Sequence, residues 1–106
     1  MPVYMHQFKY KDEGIRMLLK EEKPVDREAF LRVAVEAFGG TLQSFYFCFG
    51  EYDGLVVSSF PDETSAFACV TAIFAQGRVQ TVRTTQLIAS ADGMKAFGMV
   101  RERINP

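Results

Sequence analysis

The chain has 106 residues, of which 48% are hydrophobic and 24% charged, and its formal net charge is -1. This length and composition predict one folded domain over residues 1–106 and exclude an intrinsically disordered chain. The charge lacks the basic excess that a phosphate backbone requires, so we expect no nucleic-acid partner.

The N-terminus has neither the basic nor the apolar region of a signal peptide, and the longest apolar run, Ala66 to Ala75, is too short to span a bilayer. We therefore expect a cytoplasmic protein with no membrane partner. In a reducing compartment, Cys48 and Cys69 are predicted to be small buried hydrophobes. Two cysteines and the single His6 form no recognisable ligand set, so we expect no metal site and no other cofactor.

The first half of the chain begins with a strand, because residues Val3 to Tyr10 alternate and include β-forming types. Asp12 is the predicted N-cap of a short helical turn, which a charged run from Lys20 to Lys23 ends. From Pro24 to Phe38, apolar pairs recur every four residues, and a pair of glycines follows. This pattern predicts an amphipathic helix with a glycine-containing C-terminus.

The second half is predicted to contain two strands, Thr41 to Phe49 and Leu55 to Phe60, which pair as an antiparallel hairpin. A helix capped by Asp62 follows, and then a threonine-rich strand from Val79 to Ile88. The cap candidates of the last helix are Ser90 and Asp92. The order of elements predicts an α+β fold, a ferredoxin-like βαββαβ arrangement with an extra C-terminal helix.

The predicted sheet is apolar on both faces, although the helices of this arrangement cover only one. In the second strand, Phe45, Phe47 and Phe49 alternate with an apolar set, Leu42, Tyr46 and Cys48. Exposing such side chains costs roughly 1.5 to 3 kcal/mol each. We therefore expect a homodimer with an interface on the order of 1,600 Å². The helix from Ala66 to Ala75 is apolar nearly all round, so either the C-terminal helix covers it or it marks a contact in a larger oligomer.

The hairpin carries a family resemblance. Gly50-Glu51-Tyr52-Asp53 resembles the signature of the GYD family, and the segments Tyr10 to Ile15 and Gly39 to Leu42 are similar to other parts of that family's pattern. Its members are small bacterial and archaeal proteins of the dimeric α+β barrel type whose biochemical function is not established, so the resemblance implies that fold. In the fourth strand the family's pattern of Gly, Val, Thr and Thr maps, unless the register slips, onto Gly77, Val79, Thr81 and Arg83.

The hairpin and the threonine-rich strand also resemble the effector domain of leucine-responsive-type transcription regulators, in which the corresponding turn lies near an amino-acid site between subunits. This resemblance implies ligand sensing by Gly50, Tyr52, Asp53 and Arg83, with Asp53 holding a ligand ammonium group. We expect no DNA binding, because the predicted elements include no helix-turn-helix domain. The alternative is that Asp53 stabilises the turn through backbone hydrogen bonds and Tyr52 packs on a strand.

His6 is the one side chain whose ordinary pKa lies near neutrality, and it shares a strand parity with Tyr4 and Tyr10. Cofactor-independent monooxygenases of this fold type use polar groups in an aromatic pocket, and this resemblance makes His6, Tyr4 and Tyr10 catalytic candidates. A structural histidine is the alternative. Three functions stay open: a homo-oligomeric domain that binds or senses a small, amino-acid-like molecule, a small cofactor-independent enzyme, and a structural assembly module.

Overall fold

The computed structural model describes residues 1–20 and 26–104. The predicted order of elements and the α+β class are confirmed. The predicted helix start at Pro24 and most of the charged run lie outside the described residues. The elements in chain order are β1 (Val3–Tyr10), α1 (Asp12–Lys20), α2 (Arg27–Ala37), β2 (Thr41–Phe47), β3 (Gly54–Ser59), α3 (Glu63–Ala75), β4 (Val79–Leu87) and α4 (Ser90–Arg103).

The four strands form one antiparallel sheet in the order β2-β3-β1-β4, as a ferredoxin-like fold requires. Strand β1 is central, and its His6 pairs with Val56 of β3 on one side and Thr84 of β4 on the other. Helices α2 and α3 pack on one face, where Val35 and Cys69 share a cluster with Tyr4 of β1. The core therefore lies between this face and the two helices. Its buried apolar residues are Tyr4, Phe8, Tyr10, Val35, Leu42, Val56, Phe60, Ala66, Cys69 and Val79.

Local signals explain several of the helix ends. The Asp62 carboxylate accepts a hydrogen bond from the Ser65 N–H at 2.8 Å, which confirms the predicted cap of α3. After α2, Gly39 has φ +77°, and the N–H groups of Gly39 and Gly40 donate to the carbonyls of Glu36 and Val35. This pair of hydrogen bonds is a Schellman motif, in which glycine avoids the strain of a left-handed residue.

The predicted caps of the first and last helices are wrong by one or more residues. Asp12 is the first residue of α1, and the carbonyl of Lys11 accepts the Ile15 N–H at 3.1 Å. At α4 the capping position is Ala89, which has no side-chain hydrogen bond, and Ser90 and Asp92 lie inside the first turn. Both helices thus begin earlier than predicted, with an acidic residue in the first turn that suits the helix dipole.

Two irregularities in strand pairing decide which residues face the helices. In β2 the register shifts between Leu42 and Ser44, and in β4 Gln80 is an extra residue between the pairs Tyr10–Val79 and Lys9–Thr81. A shift of one residue exchanges the faces of all the side chains beyond it. Leu42 therefore shares the helix-facing side with Phe45 and Phe47, and not with Tyr46 and Cys48 as predicted.

No helix of residues 1–20 and 26–104 packs on the opposite face of the sheet, which is apolar along its middle, as predicted. Val3 and Met5 of β1 and Leu55 and Val57 of β3 are half-buried there, and Tyr46 of β2 is 64% exposed. We call this surface the open face. Its side chains shield one another only partly, so the single chain leaves apolar surface in water.

Helix α4 leaves the domain as an arm. It has no buried residue and, within the described ranges, packs substantially against no other element, so it does not cover α3. The molecule is consequently elongated, with principal extents of 60 × 29 × 20 Å and a radius of gyration of 16.8 Å. A compact domain of this length would have a radius of gyration of about 13 Å.

Candidate functional site

A cavity of about 80 Å³ lies between the sheet and helices α2 and α3. Its walls are mostly aromatic and aliphatic, since β1, α2 and α3 each turn their apolar side towards it. A cavity of this size holds a few water molecules or a small apolar ligand. The lining includes the polar, charged or reactive side chains of His6, Arg27, Cys69, Gln76 and Arg78, together with the ring of Phe30.

His6 lies on the cavity wall, held by two hydroxyl groups. Its Nδ1 is 3.0 Å from the Thr84 Oγ1 and its Nε2 is 2.9 Å from the Ser58 Oγ. Each hydroxyl can donate or accept, so both nitrogens of a neutral ring are satisfied in either tautomer. Burial lowers the pKa of His6 from 6.5 to about 4, because desolvation disfavours the charged form. At neutral pH the ring is therefore neutral and a weak base.

The rings next to His6 give the same picture of a packed, apolar surrounding. The Tyr4 ring stacks at 6.2 Å with an interplanar angle of 22°, and Phe60 meets the imidazole edge at 6.5 Å. Tyr4 and Tyr10 are buried, and the Tyr4 hydroxyl has no hydrogen-bond partner among the described residues. Because the ring nitrogens of His6 are held by side chains and not by the backbone, and because His6 lines a cavity, its catalytic role stays a prediction.

Cys69 also lines the cavity, beside Ala34, whose carbonyl oxygen is 3.9 Å from the Sγ. Burial raises the pKa of this thiol to about 11. The group is therefore a neutral thiol near pH 7 and not a nucleophilic thiolate. The prediction of a buried hydrophobic cysteine is confirmed for Cys69, whereas Cys48 is half-buried.

Two arginines give the cavity its charge. Arg27, the first residue of α2, stacks over Phe30 with its Cζ 5.2 Å from the ring centroid, and its Nε is buried without a hydrogen-bond partner in the described chain. Arg78 precedes β4 and is half-buried. None of the described residues that line the cavity is acidic. Among the described residues, the cavity thus combines apolar walls with two arginines that no acidic lining residue balances.

The hairpin residues have structural contacts of their own. The Asp53 Oδ2 accepts the Tyr10 N–H at 2.8 Å, the Asp53 N–H donates to the Phe8 carbonyl, and the Asp53 carbonyl accepts the Cys48 N–H. Asp53 therefore links the hairpin to the end of β1. The prediction was that its side chain bonds backbone groups within the turn itself. Gly50 is exposed and Tyr52 is half-buried.

The fourth residue predicted to bind a ligand, Arg83, lies on the open face of the sheet and not beside the hairpin. It pairs with Gln7 on the open face, and β1 separates its strand from β3, a distance of roughly 10 Å at ordinary strand spacing. The single chain thus does not bring Arg83 and Asp53 together around one pocket. Because of the bulge at Gln80, the hydroxyl that faces the helices in β4 belongs to Thr84.

Sequence reasoning missed Ser58, Thr84, Arg27 and Arg78. A signal for the two hydroxyls existed, since Ser58 follows an apolar strand pattern and Thr84 lies in the threonine-rich strand. The face on which Thr84 lies depends on the register of β4, which the bulge at Gln80 changes. No local pattern marks Arg27 and Arg78, because the cavity is made by elements that are distant in sequence.

Within the described part of the chain, no three His, Cys, Asp or Glu side chains are grouped so that they could hold a metal ion, and none of the helices combines the length and the hydropathy that a membrane span requires.

Comparisons with known proteins agree with the fold. The family model described as GYD domain matches residues 4–97. Among solved structures, TTHA0845 from Thermus thermophilus is similar with a TM-score of 0.57 and 14% identity over 85% of this chain and 96% of that one. The protein FFRP-DM1 gives 0.53 and 16% over 83% and 100%. The hypothetical protein PHS023 from Pyrococcus horikoshii gives 0.52 and 16% over 85% and 93%. No match is found among curated proteins.

Proposed function

Given that the chain belongs to the GYD domain family, we propose that it is a homo-oligomeric domain that binds a small carboxylic acid with an apolar body in the cavity beneath α2 and α3. The observation that carries this proposal is the pairing of apolar walls with two arginines in a cavity that has no acidic lining residue among those described.

The arginines favour an acid over a neutral or basic ligand. A guanidinium group in an apolar cavity is costly without a partner, and a ligand carboxylate would form charge-assisted hydrogen bonds with it. The aromatic walls suit an apolar ligand body. Benzene fits a cavity of roughly 150 Å³, so binding of an aromatic acid would require lining side chains to move apart from the present cavity of about 80 Å³. His6, neutral and fixed by two hydroxyls, then serves as part of the wall.

The homo-oligomer is supported by the open face. Val3, Met5, Leu55 and Val57 form a continuous half-buried apolar row there. The same face of a second copy is complementary to it, because a two-fold axis brings identical patches together. Light scattering after gel filtration tests this part of the proposal, and a monomer at micromolar concentration would contradict it.

A thermal-shift comparison of acids with their amides tests the ligand class. We expect benzoate, phenylacetate or isobutyrate at millimolar concentration to raise the melting temperature, because a ligand that binds only the folded state stabilises it. Benzamide, phenylacetamide and isobutyramide have nearly the same shape without the charge. They should give little or no shift.

Variants of the two cavity arginines test where the ligand carboxylate binds. Arg27→Gln and Arg78→Gln should each reduce the shift produced by the acid. Arg32→Gln is the matched control, because Arg32 lies on the exposed side of α2, 3.8 Å from Glu28. Equal shifts from acid and amide would contradict the proposed ligand class, and so would an acid shift that survives in both cavity variants.

A further inference from the structure

Helix α4 is a folded arm with an unused apolar side. Met94, Phe97 and Val100 recur at helical spacing, and Phe97 is 68% exposed. A 14-residue helix is marginal by itself in water, because helical stability in proteins comes mainly from packing of an amphipathic face. The arm therefore needs a surface to pack on.

The body of the chain offers such a surface between α3 and the edge strand β4. This groove has a volume of about 610 Å³ and is lined by Tyr4, Phe67, Val70 and Val82, with Glu63 at one end. Phe67 is 76% exposed. The groove also holds the buried Tyr4 residue whose hydroxyl has no partner in the described chain. An occupant of this groove would cover its apolar side chains.

We propose that α4 of one copy lies in the α3–β4 groove of a second copy, and that the second copy returns its own α4 in the same way. The inference builds on the proposed homo-oligomer but concerns a surface other than the open face.

The length and the charge of α4 match those of the groove along α3. Helix α4 is about 21 Å long and α3 about 20 Å, at 1.5 Å per residue. The basic last turn of α4, with Arg101 and Arg103, would meet Glu63 if the arm runs antiparallel to α3. This direction also places the C-terminus of one helix dipole beside the N-terminus of the other, which is favourable. It brings Phe97 close to Phe67.

Disulfide trapping between differently tagged chains tests the exchange. One chain carries Phe67→Cys and the other Phe97→Cys, both with Cys48→Ser, and the two are mixed and oxidised. Both new cysteines replace exposed side chains, so the fold should survive, which circular dichroism checks. We expect the mixed covalent dimer as the main product. The matched control, Val33→Cys in place of Phe67→Cys, lies exposed on α2 and should give at least about fivefold less.

A chain that carries both cysteines separates exchange from fold-back. Reciprocal exchange predicts a covalent dimer at low protein concentration, whereas an arm folded onto its own groove gives an intramolecular disulfide. That intramolecular product would overturn the inference, as would an absent mixed dimer or one no more abundant than the control. If light scattering still shows a dimer in these cases, the pairing through the open face survives without the exchange.

Discussion

Strands β3 and β4 flank β1 on its two sides, yet β3 is largely buried and β4 is largely exposed. The helix-facing residues of β3 lie under α2 and α3, so Val56 and Ser58 are buried. In β4 only Val79 is buried, and the rest of the strand is exposed or half-exposed. The chain thus completes the β3 side by itself, while the β4 side and the α4 arm lack cover. This difference separates a half whose core is complete within one chain from a half whose apolar side chains stay exposed in one chain.

The largest difference is expected when one phenylalanine is truncated on each side of β1. Phe60→Ala removes a ring that is 1% exposed next to Tyr4 and His6, so we expect a loss of about 3 to 5 kcal/mol in the free energy of unfolding, independent of protein concentration. Phe67→Ala should cost little in an isolated chain and reduce stability only at concentrations where copies associate. Urea denaturation at two protein concentrations measures both. A large, concentration-independent loss for Phe67→Ala would contradict the comparison.

The His6 ring links the two sides through its hydrogen bonds to Ser58 of β3 and Thr84 of β4, and the pH dependence of stability tests this link. Its pKa is about 4 in the folded chain and 6.5 when unfolded, so the unfolded state binds more protons between these values. Stability from the neutral ring is complete above pH 6.5 and is lost as the pH falls towards 4, by about 3 kcal/mol. His6→Gln keeps a hydrogen-bonding side chain between Ser58 and Thr84 without this titration. Urea denaturation between pH 4 and 7 should show a flatter pH dependence for the variant, and an unchanged slope would contradict the assignment.

Two glycines of the hairpin test how tightly the β3 side is packed. Gly54 pairs with Phe8, and a Cβ at this position would collide with the Phe8 ring, whereas a Cβ at Gly50 would meet no atom within 4 Å. We expect Gly54→Ala to cost about 1 to 3 kcal/mol through overpacking. Gly50→Ala should change the melting temperature little. Thermal unfolding compares the two, and equal losses would show that the ring of Phe8 can move aside.

The smallest effect is expected at Asp53. Asp53→Asn keeps an oxygen that can accept the Tyr10 N–H, so the free energy of unfolding should hardly change, while Asp53→Ala should cost about 1 kcal/mol. If Asp53 instead holds a ligand ammonium group, a thermal shift produced by an amine or amino acid will fall in Asp53→Asn. A shift that is unchanged by the substitution would assign Asp53 to the scaffold alone.

The fold was predictable because its signals are local. Asp62 caps α3 and a glycine ends α2, and the strand periodicities place β1 within its observed bounds. The site was less predictable, because one extra residue, Gln80, turns Thr84 towards the helices and Arg83 away from them. Sequence alternation carries no mark of such a bulge. The extended position of α4 was also beyond local signals, since an amphipathic helix looks the same whether its partner is its own chain or another.

The carboxylate bond of Asp53 has a consequence for hydrogen exchange. The Tyr10 amide is held by a side chain, whereas the Cys48 amide is held by the Asp53 carbonyl across the hairpin and the Asp53 amide by the Phe8 carbonyl of β1. Rotation of one side chain is enough to release the first proton to solvent, but the other two require the strands to separate. Exchange rates at these three amides would therefore distinguish side-chain motion from opening of the hairpin in a single measurement.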